Sequence, residues 1–160
     1  MDELEEMRLA DKKFGSTKRG IGPTYSDKYI KKGVRTGDLL NTEALKENLK
    51  GIVEWKNLTV NAYGHEPISY DEMLQWLLKY GEIVKPYICD VSSFLNSAVK
   101  EGKNIMFEAQ LGALRDIDYG IYPYTSSSTT LASYGPIGAG IPGKKIDCSI
   151  GIMKAYSTCV

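Results

Sequence analysis

Nowhere does this 160-residue chain approach the roughly 20 consecutive apolar residues that span a bilayer. Its amino end, Met1 to Lys13, is charged throughout and has no apolar core of the kind a secretion signal carries. Neither a membrane protein nor a secreted one is expected. Cysteine is scarce: Cys89, Cys148 and Cys159 stand far apart, lack C-x-x-C spacing and are odd in number. That usage argues against a disulfide framework or a thiolate zinc site and predicts reduced thiols in a cytoplasmic protein. An excess of one charge is also missing. With 20 Lys+Arg against 20 Asp+Glu, the chain has no bulk electrostatic footprint for phosphate backbones or anionic lipid, so neither nucleic acid nor membrane is expected as a partner. The sole histidine, His65, sits in a polar turn beside Gly64 and Pro67 and is expected to face solvent. No G-x-x-x-x-G-K-[ST] phosphate loop occurs.

What is present is a 42% hydrophobic content, enough for one sizeable core. Leu4, Met7, Ala10 and Phe14 recur at helical spacing and predict a short opening helix. The segment Gly15-Ser16-Thr17-Lys18-Arg19-Gly20-Ile21-Gly22-Pro23 reads as a loop, and a helix is predicted from Tyr25 to Lys32, stopping at Gly33. From Asn41 to Ala62, Leu45, Leu49, Ile52, Val53 and Val60 follow the 3.6 period, with Trp55 and Leu58 widening the stripe, so a long amphipathic helix is predicted up to Gly64. Ser69 and Glu72 have capping-box spacing ahead of Met73, Leu74, Leu77 and Leu78, Pro86 interrupts this second helix, and the period resumes through Ile88, Val91, Leu95 and Val99 to Gly102. The two long helices are expected to pair antiparallel, with Trp55 and Trp76 in the core or an interface. Ile105-Met106-Phe107 then looks like a buried strand of a parallel sheet, and Ile146 to Val160 like a short helix running into a strand at Ile152 to Val160.

Several clusters have the chemistry to hold a ligand. Ser16 to Pro23 places hydroxyls, two cations and Gly-rich backbone amides together, the equipment for a phosphate or carboxylate, although a solvated turn fits the same composition. Glu108, Asp116 and Asp118 follow the expected strand, where carboxylates bind magnesium or transfer protons, or else are satisfied structurally by Arg115 and backbone amides. Tyr122 to Thr130 carries a run of hydroxyl residues beside Pro123 that suits either a polar ligand or a Ser/Thr-rich capping loop. Gly138 to Gly143 matches G-x-G-x-x-G, but no strand precedes it and Pro142 stands where the receiving helix would begin, so it is read as a false match.

Two of these segments carry a family resemblance. Ser16-Thr17-Lys18-Arg19-Gly20-Ile21-Gly22-Pro23, with Lys28, Arg35 and Asp38-Leu39 behind it, resembles the signature loop of the adenylosuccinate synthetase family. Phe107-Glu108, Asp116-Ile117-Asp118-Tyr119-Gly120, Tyr122-Pro123-Tyr124, the hydroxyl run and Gly151-Ile152-Met153-Lys154-Ala155-Tyr156-Ser157-Thr158 resemble its later motifs in order. The resemblance implies a P-loop-related α/β fold and a cytoplasmic, homodimeric ligase that joins IMP and L-aspartate through a C–N bond, using GTP and magnesium. It further implies that Thr17 touches the IMP phosphate, that Arg19 lies near the aspartate pocket with Val160 lining the site, and that Ser126 stands for a nucleotide-binding threonine. Lys31 takes the place of an arginine reaching the IMP phosphate in the partner subunit, keeping the charge without the planar fork. The glutamine that reads the purine aligns by count with Leu111, and Gln110, one place earlier, is taken as its counterpart.

The family's G-D-E-G-K-G-K loop, bearing the catalytic aspartate, and its catalytic histidine are not found in these 160 residues. The chain therefore reads as a central fragment, inactive alone, with no catalytic or metal residue of its own and with the main GTP and magnesium sites elsewhere. Its expected organisation is an IMP-phosphate loop and short helix over residues 1–40, a helical, dimer-forming subdomain over 41–102 and a strand-loop nucleotide segment over 103–160. The alternative is a freestanding helical dimerisation or nucleotide-binding module without catalysis.

Overall fold

The computed structural model describes residues 1–13 and 15–156. Two compact units divide at Cys89/Asp90. The first contains α1 (Asp2–Leu9), α2 (Ile21–Tyr29), α3 (Thr42–Ala62) and α4 (Tyr70–Val84), with short 3-10 turns at Ala10–Lys12, Thr36–Leu40 and Lys85–Tyr87. The second, from Asp90 onward, contains α5 (Val91–Lys100), a 3-10 turn at Ala113–Arg115 and the short α6 (Tyr134–Gly138).

In the first unit α3 is the organising helix. Its amino end is closed by the Asn41 side chain, which accepts a hydrogen bond from the Ala44 amide at 3.1 Å. Leu45, Leu49, Val53 and Val60 are buried as the period required. Trp55 and Leu58 instead lie on the exposed side, so the stripe is narrower than the sequence suggests. The Lys32 ammonium sits 4.5 Å from the Trp55 ring centroid, and Trp76 packs on Tyr80 at 4.9 Å and is exposed, so neither tryptophan is a core residue within this chain. α3 packs against both α4 and the turn at Thr36–Leu40. The connection to α4 folds back along α3: Asn57 exchanges two hydrogen bonds with the backbone of Ile68, at 2.7 and 3.0 Å, and the Tyr70 hydroxyl donates to the Lys46 carbonyl. Ser69 caps α4 by accepting from the Glu72 amide, and Pro86 ends the helical run in a 3-10 turn. Asp90 then caps α5 through Ser93.

α2 departs from expectation at both ends. It starts at Ile21, inside the segment read as loop, because Pro23 occupies the third helical position, where an amide has no intrahelical acceptor to lose. It stops earlier than Gly33: Lys31 takes up the left-handed conformation, φ 60°, while its amide bonds to the Lys28 carbonyl and that of Lys32 to Asp27. The same closing motif ends α3 at Gly64 and α5 at Gly102, where glycine adopts positive φ without steric cost.

No β-strand forms among the described residues. Ile105 to Phe107 and 152–156 are extended or irregular, and no helix forms among the described residues 146–156; the rest of the expected strand, 157–160, lies outside the described residues. Met106 is 88% exposed and Ile152 96% exposed. Both segments have the composition of parallel strands, which are defined by hydrogen-bonded neighbours on either edge and by covered faces. None of the described segments supplies those neighbours.

Candidate functional site

The loop between α1 and α2 is braced from the first turn of α1. The Asp2 carboxylate accepts the Ser16 hydroxyl at 2.7 Å and the Gly20 amide at 2.9 Å, so one side chain holds both ends of the arc. Ser16 Oγ in turn accepts the Lys18 amide at 3.1 Å, which folds the arc into a tight turn with Lys18 at φ 56°. The Lys18 ammonium lies 3.9 Å from Glu3. Ser16 is therefore committed to the scaffold and is not a free hydroxyl donor. Thr17 and Arg19 are exposed, and neither forms an internal hydrogen bond among the described residues. Lys31 is likewise exposed, at the carboxyl end of α2 in the same unit. Asp27, on α2, forms a half-buried ion pair with Lys56 of α3 and so ties α2 to the core helix.

Gln110 and Ser126 belong to the second unit. Gln110 is exposed and lines an open depression with Glu108 and Leu111, the residue that competes with it by count. Ser126 is half-buried, with its amide on the Arg115 carbonyl and its hydroxyl 3.2 Å from that of Ser128. Val160 lies outside the described residues.

Of the two readings open for the carboxylates, the structural one holds for Asp116. It is completely buried, with Oδ1 accepting the amides of Asp118 (2.9 Å) and Tyr119 (3.0 Å), and Oδ2 accepting the amide (2.7 Å) and hydroxyl (3.3 Å) of Thr130. The Thr130 amide, more than any other partner, holds its pKa below the ordinary carboxylate value, against the opposing effect of burial. The last residue of the hydroxyl run, Thr130, thus serves a carboxylate of the chain itself. Glu108 and Asp118 remain exposed, and no group of three or more metal-ligating side chains occurs among the described residues. These residues do not fit a magnesium site.

G-x-G-x-x-G falls across the carboxyl end of α6, with the Gly140 carbonyl accepting the Ser92 hydroxyl at 2.5 Å, so it presents no helix amino end to a pyrophosphate. His65 is exposed. Among the described residues no helix is long and apolar enough to cross a membrane. Sequence reading missed Asp2 and Asn57, for an acidic residue in a first helical turn or a polar residue in a helix signals nothing about a distant partner.

The family model described as adenylosuccinate synthetase matches residues 1–160. Adenylosuccinate synthetases of Carboxydothermus hydrogenoformans and Brachyspira hyodysenteriae are 45% and 44% identical over 100% of this chain, which covers 38% of each of them. A solved structure titled as fully ligated adenylosuccinate synthetase from Plasmodium falciparum superposes with a TM-score of 0.78 at 32% identity, over 88% of this chain and 33% of that one. The chain belongs to the adenylosuccinate synthetase family. It spans a little over a third of the length of the curated relatives it matches.

Proposed function

We propose that the chain is the IMP-binding segment of a cytoplasmic, homodimeric ligase that condenses IMP with L-aspartate to adenylosuccinate in purine nucleotide synthesis. The observation that supports this most is the family match along the whole chain, together with a signature loop whose Thr17 and Arg19 are exposed on a braced arc. In this reading the Thr17 hydroxyl and the Lys31 ammonium take the IMP phosphate, Lys31 acting on the nucleotide of the partner subunit. Arg19 faces aspartate, Gln110 reads the purine edge and Ser126 adds a phosphate donor. GTP supplies the phosphoryl group that converts the 6-oxygen of IMP into a leaving group for the aspartate amine. GTP and magnesium are held chiefly by residues outside this chain, which alone is inactive. The exposed apolar segments around Met106 and Ile152 are strands of the parallel sheet in the longer α/β protein.

In the full-length protein, Thr17→Ala is expected to weaken IMP binding in a calorimetric titration by about 2 kcal/mol, roughly thirtyfold, the usual loss for a hydrogen bond to a charged group. An unchanged isotherm refutes the assignment. Lys31→Gly separates folding from binding. Relieving a left-handed lysine is expected to raise stability by about 1 kcal/mol, while removal of the ammonium lowers IMP affinity. Stability that rises with affinity unchanged would mean that Lys31 does not contact the phosphate.

A further inference from the structure

We propose that Asp2 is a positioning residue for the substrate-binding loop, an inference that rests on the reading of Thr17 and Arg19 given above. A five-residue arc from Ser16 to Gly20 has few internal ways to hold one shape. Its only internal side-chain bond among the described residues is the one from the Lys18 amide to Ser16 Oγ. The remaining constraint comes from outside: the two oxygens of Asp2 are divided between the arc's first and last residues, at 2.7 and 2.9 Å. Everything between those points, Thr17 and Arg19 included, is carried on the span that the carboxylate closes.

The same contact explains why Ser16 belongs with the scaffold and Thr17 with the ligand. The Ser16 proton goes to Asp2 and its lone pair takes the Lys18 amide, so Ser16 has no proton left for a phosphate. Gly20 is the capping residue immediately before α2, and its amide also goes to Asp2. The carboxylate thus sets the start of α2 relative to the start of α1. Glu3, next in the same turn, lies 3.9 Å from Lys18 and adds a weaker exposed contact on the same side. Loss of the Asp2 carboxylate frees both ends of the arc at once. Ordering it again then falls to the substrates, which raises the concentration they need without altering the reacting atoms.

The test is steady-state kinetics on the full-length protein with Asp2→Ala, Asp2→Asn, Ser16→Ala and Thr17→Ala, with thermal unfolding run on each. Asp2→Ala is expected to raise KM for IMP and for aspartate by about tenfold or more, the factor expected from a lost hydrogen bond to a charged group, with kcat nearly unchanged. Asp2→Asn, which retains one acceptor oxygen, falls between. Asp2→Ala combined with Thr17→Ala raises KM by less than the product of the single effects, because both act through one loop. A KM unchanged in Asp2→Ala but raised in Thr17→Ala overturns the positioning role and leaves the loop assignment standing. A KM unchanged in both overturns both. If Asp2→Ala does not accumulate as folded protein, Ser16→Ala decides: it removes one of the two Asp2 bonds, together with the acceptor of the Lys18 amide, without a substitution in α1, and an unchanged KM overturns the proposal.

Discussion

Gly120→Ala is expected to unfold the second unit or leave it barely stable, at a cost of about 3 kcal/mol or more. A Cβ built on Gly120 would stand 2.4 Å from the Asp116 carbonyl oxygen, 2.5 Å from that of Leu114 and 2.8 Å from the Asp116 nitrogen. All these atoms are backbone, so no rotamer change relieves the clash. The backbone cannot retreat cheaply either, since the Gly120 amide donates to the Asp116 carbonyl and the Ile121 amide to that of Leu114. Gly81→Ala is the matching control. Its added carbon would meet only the flexible Leu39 side chain, at 3.5 Å, while helix propensity favours alanine. Urea unfolding of the full-length variants should show a lowered midpoint for Gly120→Ala and not for Gly81→Ala.

Asp116→Ala is expected to be the most damaging carboxylate-to-alanine change in that unit. It strips acceptors from the amides of Asp118, Tyr119 and Thr130 at once. Asp118→Ala, at an exposed neighbour, should leave the unfolding temperature nearly unchanged. The pH dependence has a definite sign. Because the folded-state pKa of Asp116 is lowered, chiefly by the Thr130 amide, the ionised group stabilises the fold fully above the unfolded carboxylate pKa of about 3.9. That contribution is lost as pH falls through the lower folded value. Melting curves from neutral pH down through this range should converge for wild type and Asp116→Ala at the acid end. A constant gap would show that the charge on Asp116 does not matter to stability.

The helices were legible because their signals are local. Leu45, Leu49 and Val53 recur every turn, Asn41, Ser69 and Asp90 are residues whose oxygens reach an amide three positions on, and Pro86 removes a donor wherever it stands. The signature loop was legible for another reason: its residue types and order carry a family likeness, and the match over the whole chain agrees with it. At Ile105–Phe107 and 152–156 no strand forms among the described residues, because apolar, β-branched composition states only a preference, whereas a strand exists only when neighbouring strands take its hydrogen bonds.

By itself, then, the sequence determined where α3, α4 and α5 begin, the buried positions Leu45, Leu49, Val53 and Val60 of α3, and which loop carries the hydroxyl and cations of the family resemblance. Only the tertiary structure decided that Ser16 serves the scaffold while Thr17 is left exposed, that Asp116 is a buried brace and not a metal ligand, and that Asp2 closes the loop. Each of these depends on which donor meets which acceptor across 14 or 18 positions of chain, as from Ser16 or Gly20 to Asp2 and from Thr130 to Asp116. The chain's length, neutral charge and lack of a disulfide pattern bound the class of molecule. The allocation of its few polar side chains between holding the fold and meeting a ligand is set by packing, because a buried polar group must find its partner wherever the fold brings one.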